Sequence, residues 1–333
     1  MNLKKISEFL LNFKKKYIYL VMFVLISTPL ILKVTQETYE TKEVKSIYQR
    51  VEEIYQHNKE NPEDKLALFI SVDFAPSTKA ECDPMMNAML RHAFLRDIPV
   101  LGWAGVPQGI DYGLERFNTI AKEYNKKYGE DYIYLGYAYP FLQAALAFGT
   151  DVRIFASTDY YGKDTYDNYP IMEKFNNYNQ LGLFTSITGT SLAEGWIQYA
   201  NGLFNQDVAA GVTAVNASRL YPFLQSGQLV GMMGGLKGAA EYEQMVERLE
   251  KKEIKKDIKN YLSGLYKNYE APEENPRKYD TSYTKTELLK SVNSRKMARQ
   301  GMAAQKIAHF YVIALIIIAN IGYLLKKRYE SRR

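Results

Sequence analysis

The sequence predicts an α/β protein with a mostly parallel sheet and crossover helices, flanked by one transmembrane helix at each end. Short apolar runs alternate with helical stretches between residues 66 and 246, which is typical of parallel strands joined by crossover helices. Two apolar runs without Asp, Glu, Lys or Arg, 17–32 and 307–325, stand near the two ends of the chain. Lysines and arginines gather on the outer side of each run.

Six apolar runs are predicted as strands, and helices are predicted between them. The runs are LALFISVDF, IPVLGWAG, DYIYLGYAY, GLFTSIT, VAAGVTAV and QLVGMMGG. Helices are predicted at 83–96, 111–128, 191–203 and 220–225, with Asp83 and Pro84 as the N-cap and first residue of the first one. We expect a Rossmann-like sheet of about seven strands across 66–246, or two halves that face each other across a cleft.

The terminal runs predict two membrane anchors. The run 307–325 has 19 residues, is apolar on every face and is the clearer span. The run 17–32 has 16 residues, and snorkelling Lys16 and Lys33 would make up what it lacks against a hydrocarbon core of about 30 Å. A secretory signal peptide is the alternative, but no small-x-small cleavage site follows the run, which favours an uncleaved anchor.

The charge distribution predicts the orientation. The tails 1–16 and 326–333 each carry a net charge of +4, which leaves −2 for residues 17–325 out of a chain total of +6. The positive-inside rule therefore places both tails in the cytoplasm and the central domain on the opposite side of the membrane. A near-neutral domain lacks the basic face that nucleic acid requires, so we expect the lipid bilayer, a membrane protein or a second copy as partner.

Two regions outside the sheet connect it to the anchors. Residues 38–61 are predicted as an amphipathic helix, because Val44, Ile47, Val51 and Ile54 recur at steps of three and four. Residues 247–305 are predicted as a helical and linker region. It contains a charged helix at 247–259, the linker EAPEENPRKYD and a final helix from 284 that runs straight into the second span.

Several kinds of chemistry are disfavoured by the residue types available. The single cysteine, Cys82, cannot form an intramolecular disulfide. His92 lies ten residues further along the same predicted helix, about 15 Å away, too far to activate the thiol. No CxxC, HxxxH or HExxH spacing is present, so the sequence assigns no metal site. No cofactor can be assigned either.

Candidate site residues were sought at the carboxyl ends of the strands, where open parallel sheets bind ligands. In SVDFAPSTKAE, Asp73 could hold a metal or orient a hydroxyl, but the spacing fits neither DxDxT nor DxSxS, and capping or turn formation is the alternative. Ser77 and Thr78 in the same loop are further ligand-binding candidates. In GWAGVPQGIDYG, Trp103 and Gly105 suit a pocket wall or the approach of an anion to backbone N–H groups. The glycine spacing differs from GxGxxG, which disfavours a dinucleotide.

Three further segments supply candidates. In TSITGTSLAEGW, Ser191 and Glu194 fit an S-x-x-E capping box, and GxSxG is absent. In SGQLVGMMGGLKGAAEYE, the residues Gly234, Gly235 and Lys237 predict an anion site or a tight structural turn. Tyr137 lies in one of two tyrosine-rich runs, IYLGYAYP and TDYYGKDTYDNYP, which suit a carbohydrate or peptide groove, although the 28 tyrosines of the chain are also explained by compositional drift.

Three blocks carry a resemblance to other sequences. SVDFAPSTKAECDPMMNAMLRHAF, DYIYLGYAYP and GVTAVNASRLYPFLQSGQLVGMMGGLKGAAEYE are similar, over about residues 66–246, to a family of uncharacterised bacterial proteins with a membrane anchor at each end. The resemblance implies a shared membrane-anchored α/β domain and, with the charge distribution, a location in the bacterial inner membrane with the central domain extracytoplasmic. It implies no activity and no residue roles.

Three functions are compatible with these observations. The favoured one is a non-catalytic, membrane-anchored assembly or sensing module that binds a small polar ligand or a protein partner. The second is an extracytoplasmic hydrolase or transferase that uses Asp73 with hydroxyls in the cleft. The third is a serine-lysine protease of the signal-peptide-peptidase type, with Lys79 or Lys237 as the base. Clustering of Asp73 with Ser77, Ser191, Glu194 and Lys237 would favour an enzyme.

Overall fold

The computed structural model describes residues 6, 9–137, 139–258, 261 and 281–331. The chain divides into two units, of which one comprises 1–37 and 299–333 and the other comprises 38–298. The predicted linker EAPEENPRKYD lies outside the described residues, as does part of the basic tail 1–16.

The larger unit is built on six strands, all parallel. They are β1 (Ala67–Asp73), β2 (Val100–Ala104), β3 (Tyr132–Tyr137), β4 (Leu181–Thr188), β5 (Val208–Val212) and β6 (Gly231–Gly234). Their order across the sheet is β3-β2-β1-β4-β5-β6, and each neighbouring pair is parallel. The predicted parallel α/β fold is confirmed, with six strands in one sheet. The chain adds β2 and β3 on one side of β1 and then β4, β5 and β6 on the other side. The change of side between β1 and β4 is the point where ligands bind in doubly wound folds.

Helices connect the strands and flank the sheet. They are α1 (Lys15–Ile31), α2 (Lys42–Glu60), α3 (Lys79–Leu95), α4 (Ile110–Glu123), α5 (Phe141–Ala147), α6 (Pro170–Lys174), α7 (Leu192–Trp196), α8 (Gly202–Phe204), α9 (Ala214–Gln225), α10 (Gly235–Lys256), α11 (Thr281–Ser294) and α12 (Met297–Glu330). A π-helical turn, Ile197–Asn201, joins α7 to α8. The amphipathic helix predicted at 38–61 is α2, which buries its four apolar residues.

Several predicted helix boundaries are wrong, including the end of the helix predicted at 111–128, which is α4 and ends at Glu123, and the start of the helix predicted at 220–225, which is α9 and begins at Ala214. Asp83 and Pro84 lie inside α3, because a 3-10 turn at Pro76–Thr78 leads into the helix four residues earlier than predicted. Residues 247–256 of the predicted charged helix 247–259 form the second half of α10, a single 22-residue helix that begins at the end of β6 and ends at Lys256. The final helix does not run unbroken into the apolar span, since Arg295 and Lys296 separate α11 from α12.

The two faces of the sheet are covered differently. On one face, aromatic residues from the strands and from α5 and α7 form the core, in which the ring of Phe184 contacts the rings of Phe69 and Trp196. On the other face α3 packs along α10 and against α4, with α2 beside α10. Connections of this kind on both faces bury all six strands almost completely, which explains their continuous apolar runs.

Both ends of the larger unit are held by buried polar groups of α10. At the first end, the backbone of Thr38 exchanges two hydrogen bonds with the amide of Gln244, and Thr41 donates two to Glu241 at 2.8 and 2.6 Å. At the last end, Glu243 accepts from the backbone N–H of Ala298 at 2.9 Å. Further pairs are Arg295 with Glu250 and Lys296 with Glu247, both at 3.1 Å. Helix α10, which begins at the carboxyl edge of the sheet, therefore holds both ends of the larger unit.

Among the described residues, one helix is long and apolar enough to cross a membrane, and this is α12. The span predicted at 307–325 lies within it. The N-terminal span is not supported in the same way, because α1 has 17 residues and so measures about 25 Å. Within the smaller unit, the Tyr311 hydroxyl donates to the carbonyl of Ile18 at 3.2 Å and Arg299 donates to the carbonyl of Gln36 at 3.2 Å.

Candidate functional site

Asp73 ends β1 at the reversal point of the sheet, as predicted, but its carboxylate faces inward. The side chain is fully buried and accepts four hydrogen bonds. Ser71 and the backbone N–H of Gly105 donate to Oδ1 at 2.5 and 3.0 Å, and Ser186 and Trp196 Nε1 donate to Oδ2 at 2.6 and 3.2 Å. Burial nevertheless raises the pKa of Asp73 to about 6. This carboxylate joins β1, β4, α7 and the loop after β2 and has no free acceptor position towards solvent.

The crevice between the loops that follow β1 and β4 is filled by the protein itself. A Cβ atom on Gly189 would lie 2.6 Å from Thr78 Cγ2, and a Cβ on Gly105 would overlap Asp73 Oδ1. Glycine is therefore needed at both positions for close packing. The Asn216 side chain also donates to the carbonyl of Gly189, at 2.9 Å. Thr78 and Gly105 thus close the crevice that the sequence led us to expect as a ligand site.

The other candidate polar residues do not gather around Asp73. Ser77 is exposed on its 3-10 turn, and Glu194 forms an ion pair with Arg219 on α9 at 3.8 Å. Ser191 is exposed, and the predicted capping box is wrong, because Ser191 makes no capping hydrogen bond with its side chain. Thr190 Oγ1 instead accepts from the backbone N–H of Leu192 at 3.3 Å.

The glycine-rich entry to α10 is a packed turn. Gly235 has a φ of +62°, which favours glycine. Glu81 Oε2 would lie 3.1 Å from a Cβ on Gly235 and accepts from the backbone N–H of Ala214 at 2.9 Å. Lys237 forms an ion pair with Glu241 one turn along the helix. A carboxylate of the protein thus stands beside Gly234 and Gly235, and Lys237 is paired, which disfavours an anionic ligand there.

Trp103 belongs to the core and does not line a pocket. Its side chain is buried, and its ring meets Trp196 edge to face with centroids 5.5 Å apart. Cys82 is also buried, and burial raises the pKa of its thiol to about 12, so that the thiolate nucleophile is suppressed. Within the described part of the chain no group of three or more His, Cys, Asp and Glu side chains could hold a metal ion.

Tyr137 is the candidate that does line a cavity at the carboxyl edge. The cavity has a volume of about 300 Å³ and lies where β3 ends and α4 begins. Its walls include the half-buried Tyr137 and Tyr160, the exposed Ser157 and Thr158, and the backbone of Gly136. The Tyr160 hydroxyl donates to Asp111 at 2.7 Å, and this bond raises the pKa of Tyr160.

Asp159 holds the loop that forms one wall of this cavity. Its side chain is buried and accepts hydrogen bonds from the hydroxyls of Tyr128 and Tyr169 at 2.8 and 2.5 Å. It also accepts from the backbone N–H groups of Tyr161 and Lys163, both at 2.9 Å. Four donors on one carboxylate keep the loop in a single conformation, so the cavity is formed before any ligand arrives.

Two cavities lie at the opposite edge of the sheet. One of about 390 Å³ is lined by Lys65, Asp97 and Lys126, among other residues, and one of about 270 Å³ is lined by Tyr55, Arg96 and Glu253 with their neighbours. These residues precede strands or end α3 and α10. They are therefore remote from the edge at which open parallel sheets bind ligands.

The sequence did not identify the residues that bind Asp73 or those that complete the cavity beside Tyr137. Ser71, Ser186 and Trp196 bind Asp73, and Ser157, Thr158 and Tyr160 complete the cavity. Ser71 stands two residues before Asp73 on one strand and so shares its face, a signal that was available. The loop that forms a wall of the cavity shows neither helical nor strand periodicity in its sequence. Its high tyrosine content was the one feature that pointed to it.

Comparison of the chain with protein-family models, with curated proteins and with solved structures found no significant match.

Proposed function

We propose that this chain is a membrane-anchored, extracytoplasmic binding module with a non-catalytic sensing role, whose ligand is a small, neutral, polyhydroxylated molecule such as a sugar. The observation that supports this most is the cavity of about 300 Å³ at the carboxyl end of β3. Its volume lies at the lower end of the range typical of small-molecule sites. It occupies the edge of the sheet where such sites occur.

The side chains around the cavity suit a neutral ligand rich in hydroxyl groups. Tyr137 and Tyr160 offer ring faces for the apolar side of a sugar ring, and Ser157 and Thr158 offer hydroxyls. Asp111 provides a carboxylate acceptor next to Tyr160. The lining contains no lysine or arginine among the described residues, which argues against phosphorylated or carboxylated ligands.

Binding is favoured over catalysis because the candidate catalytic groups are separate and already paired. Asp73 is enclosed by four donors, Glu194 pairs with Arg219, and Lys237 pairs with Glu241. Lys79 lies over the ring of Tyr112, 4.1 Å from its centroid. A hydrolase or transferase that uses Asp73 would have to open this buried cluster. A serine-lysine protease would need a serine beside Lys79 or Lys237. The hydrolase or transferase and the protease are therefore secondary hypotheses.

A sensing role is supported by α10, because this helix begins at the carboxyl edge of the sheet and holds both ends of the larger unit. Thr41 and Ala298 are bound to its buried Glu241 and Glu243. Each of those chain ends continues into a predicted anchor. Any shift of α10 would therefore reach both ends at once, and breaking a buried charged hydrogen bond costs about 1.5 to 3 kcal/mol.

The location proposed is the bacterial inner membrane, with both basic tails in the cytoplasm. The α12 helix supplies one span by length and composition. The shorter α1 is proposed as a second span that tolerates its length through the flanking Lys16 and Lys33. The charge excess on both tails supports the orientation.

The test is a titration of full-length protein with a panel of neutral mono- and disaccharides, in a detergent without a sugar head group, followed by saturation-transfer NMR. We expect at least one sugar to bind, and we expect Tyr137→Ala and Tyr160→Ala to weaken binding roughly 5- to 10-fold through loss of ring contact. Tyr39→Ala is the matched control, since Tyr39 is 94% exposed and outside the cavity lining. Absence of binding, or equal loss in the control, would refute the proposal.

A further inference from the structure

Three helical segments lie side by side on the aromatic face of the sheet. They are α5, the run from α7 through the π-helical turn to α8, and α9. Phe141 of α5 contacts Trp196 of α7, with ring centroids 4.7 Å apart, and Glu194 of α7 pairs with Arg219 of α9 at 3.8 Å. We call the outer surface of residues 141–147, 192–204 and 214–225 the neutral face.

The neutral face is almost free of charge. Its segments contain two charged residues, Glu194 and Arg219, and these two form an ion pair with each other. By contrast, eleven of the 22 residues of α10, on the opposite side of the sheet, are charged. A surface without net or unpaired charge is unusual in a chain of which 24% is charged.

Large apolar side chains stand out from the neutral face. Val215 is 84% exposed and Leu203 is 62% exposed. Others that are exposed are Leu142, Leu146, Phe204 and Tyr221. Of the twelve residues of α9, Leu220 is buried, and Ala217, Phe223 and Leu224 are partly buried against the core, so the other face of this helix is exposed. Several large apolar side chains exposed on one uncharged face are typical of an interaction site.

The charge pattern indicates which kind of partner binds the neutral face. A bilayer surface is typically bound through lysines and arginines beside the apolar residues, and here the single arginine is already paired. A partner protein must present a surface that is equally uncharged, because an unpaired charge facing this surface would lose its solvation without compensation. The neutral face itself meets that requirement, and depletion of charge in the centre is typical of protein interfaces.

We propose that the neutral face is the contact between two copies of this chain, which pair through it about a two-fold axis. Such an interface is isologous, so that each residue meets the same patch on the other copy. Confinement of both copies to one membrane raises their effective concentration, so a modest interface is sufficient. The proposal is independent of the ligand cavity and stands whether or not a sugar binds.

The test uses full-length protein in the membranes of its expression host and single cysteines on the neutral face. Because a residue meets its own counterpart only near the two-fold axis, at least one of Val215→Cys, Leu203→Cys and their co-expressed pair is expected to cross-link with a short bismaleimide to a species of twice the 38.3 kDa chain mass. Native Cys82 is buried and serves as the unreactive background. Lys252→Cys, at an exposed position on α10, is the matched control and is expected to stay monomeric.

A charge substitution checks that the cross-link reports an interface. Leu203→Glu is expected to weaken pairing roughly 30-fold or more, because its carboxylate would lose solvation in an uncharged contact without compensation. Leu203 is exposed, so the folded monomer keeps its thermal midpoint. Equal cross-linking at Lys252→Cys, cross-linking to another protein, or quenching of a dye at position 215 by brominated lipid would each overturn the proposal.

Discussion

Replacement of Asp73 by asparagine changes how stability depends on pH in a way that the buried cluster determines. The folded-state pKa of Asp73 is raised to about 6 from an ordinary value of 3.8. The native state therefore binds a proton more tightly than the unfolded state between these two values. As pH falls through 6 towards 3.8, this group increases the free energy of unfolding, and above pH 6 it contributes the full cost of burying the charge.

The magnitude follows from the size of the pKa shift. A shift of about two units corresponds to about 3 kcal/mol in full, of which about 2 kcal/mol appears between pH 7.5 and 4.5. The asparagine side chain introduced by Asp73→Asn does not titrate. Its NH₂ group would also face either the N–H of Gly105 or the indole N–H of Trp196, neither of which can accept a hydrogen bond.

The assay is urea unfolding of both proteins at pH 7.5 and 4.5, followed by tryptophan fluorescence. Trp103 and Trp196 are the two tryptophans of the chain, and Trp196 donates directly to Asp73. We expect Asp73→Asn to lose about 2 kcal/mol relative to the wild type on going to pH 4.5, while other titrating groups cancel in the difference. A difference that is constant with pH, or one of opposite sign, would refute the reasoning.

Three further predictions follow from single contacts. Gly105→Ala should lower the free energy of unfolding by about 3 kcal/mol in urea titrations, because its Cβ would overlap the Asp73 carboxylate; an unchanged midpoint would contradict this. Hydrogen bonds from His92 and Arg96 lower the pKa of Glu52 to about 2 despite its partial burial, so its contribution is present above pH 4.5 and is lost as pH falls towards 2. When the pH is lowered, Glu52→Gln should not show the decrease in the free energy of unfolding, of up to about 3 kcal/mol, that the wild type shows. Thr41→Val should cost about 1 to 2 kcal/mol in a thermal melt, since Glu241 loses a buried donor, and no shift would show that this end is not held.

The strands could be predicted from sequence because burial on both faces leaves a readable pattern. All six runs named from the sequence contain the observed strands or most of their residues, and the segment LALFISVDF covers the whole of β1. The helices were located less accurately. The DP pair suggested a start at Asp83, yet Pro84 is accommodated within α3, and the chain enters the helix through the turn before it.

The candidate site was harder to predict because residue types do not reveal which donors are already used. Asp73 was placed at the correct edge, but its four donors come from β1, β4, α7 and the loop after β2, and the side chain is closed to solvent. The pairing of Ser71 with Ser186 depends on the neighbouring positions of β1 and β4, which the sequence does not state. Likewise, Glu81 reaches Gly235 from a distant part of the chain.

The proposed function requires that the solvent-open cavity at the end of β3 faces the outside of the cell and binds a small neutral ligand. Thr158 is exposed and lines that cavity, whereas native Cys82 is buried with a raised thiol pKa. In intact cells, a membrane-impermeant maleimide should label Thr158→Cys and leave the wild type unlabelled, and a bound sugar should slow the labelling. Labelling that begins only after the cells are opened would contradict the location, and labelling that no sugar slows would contradict the binding site.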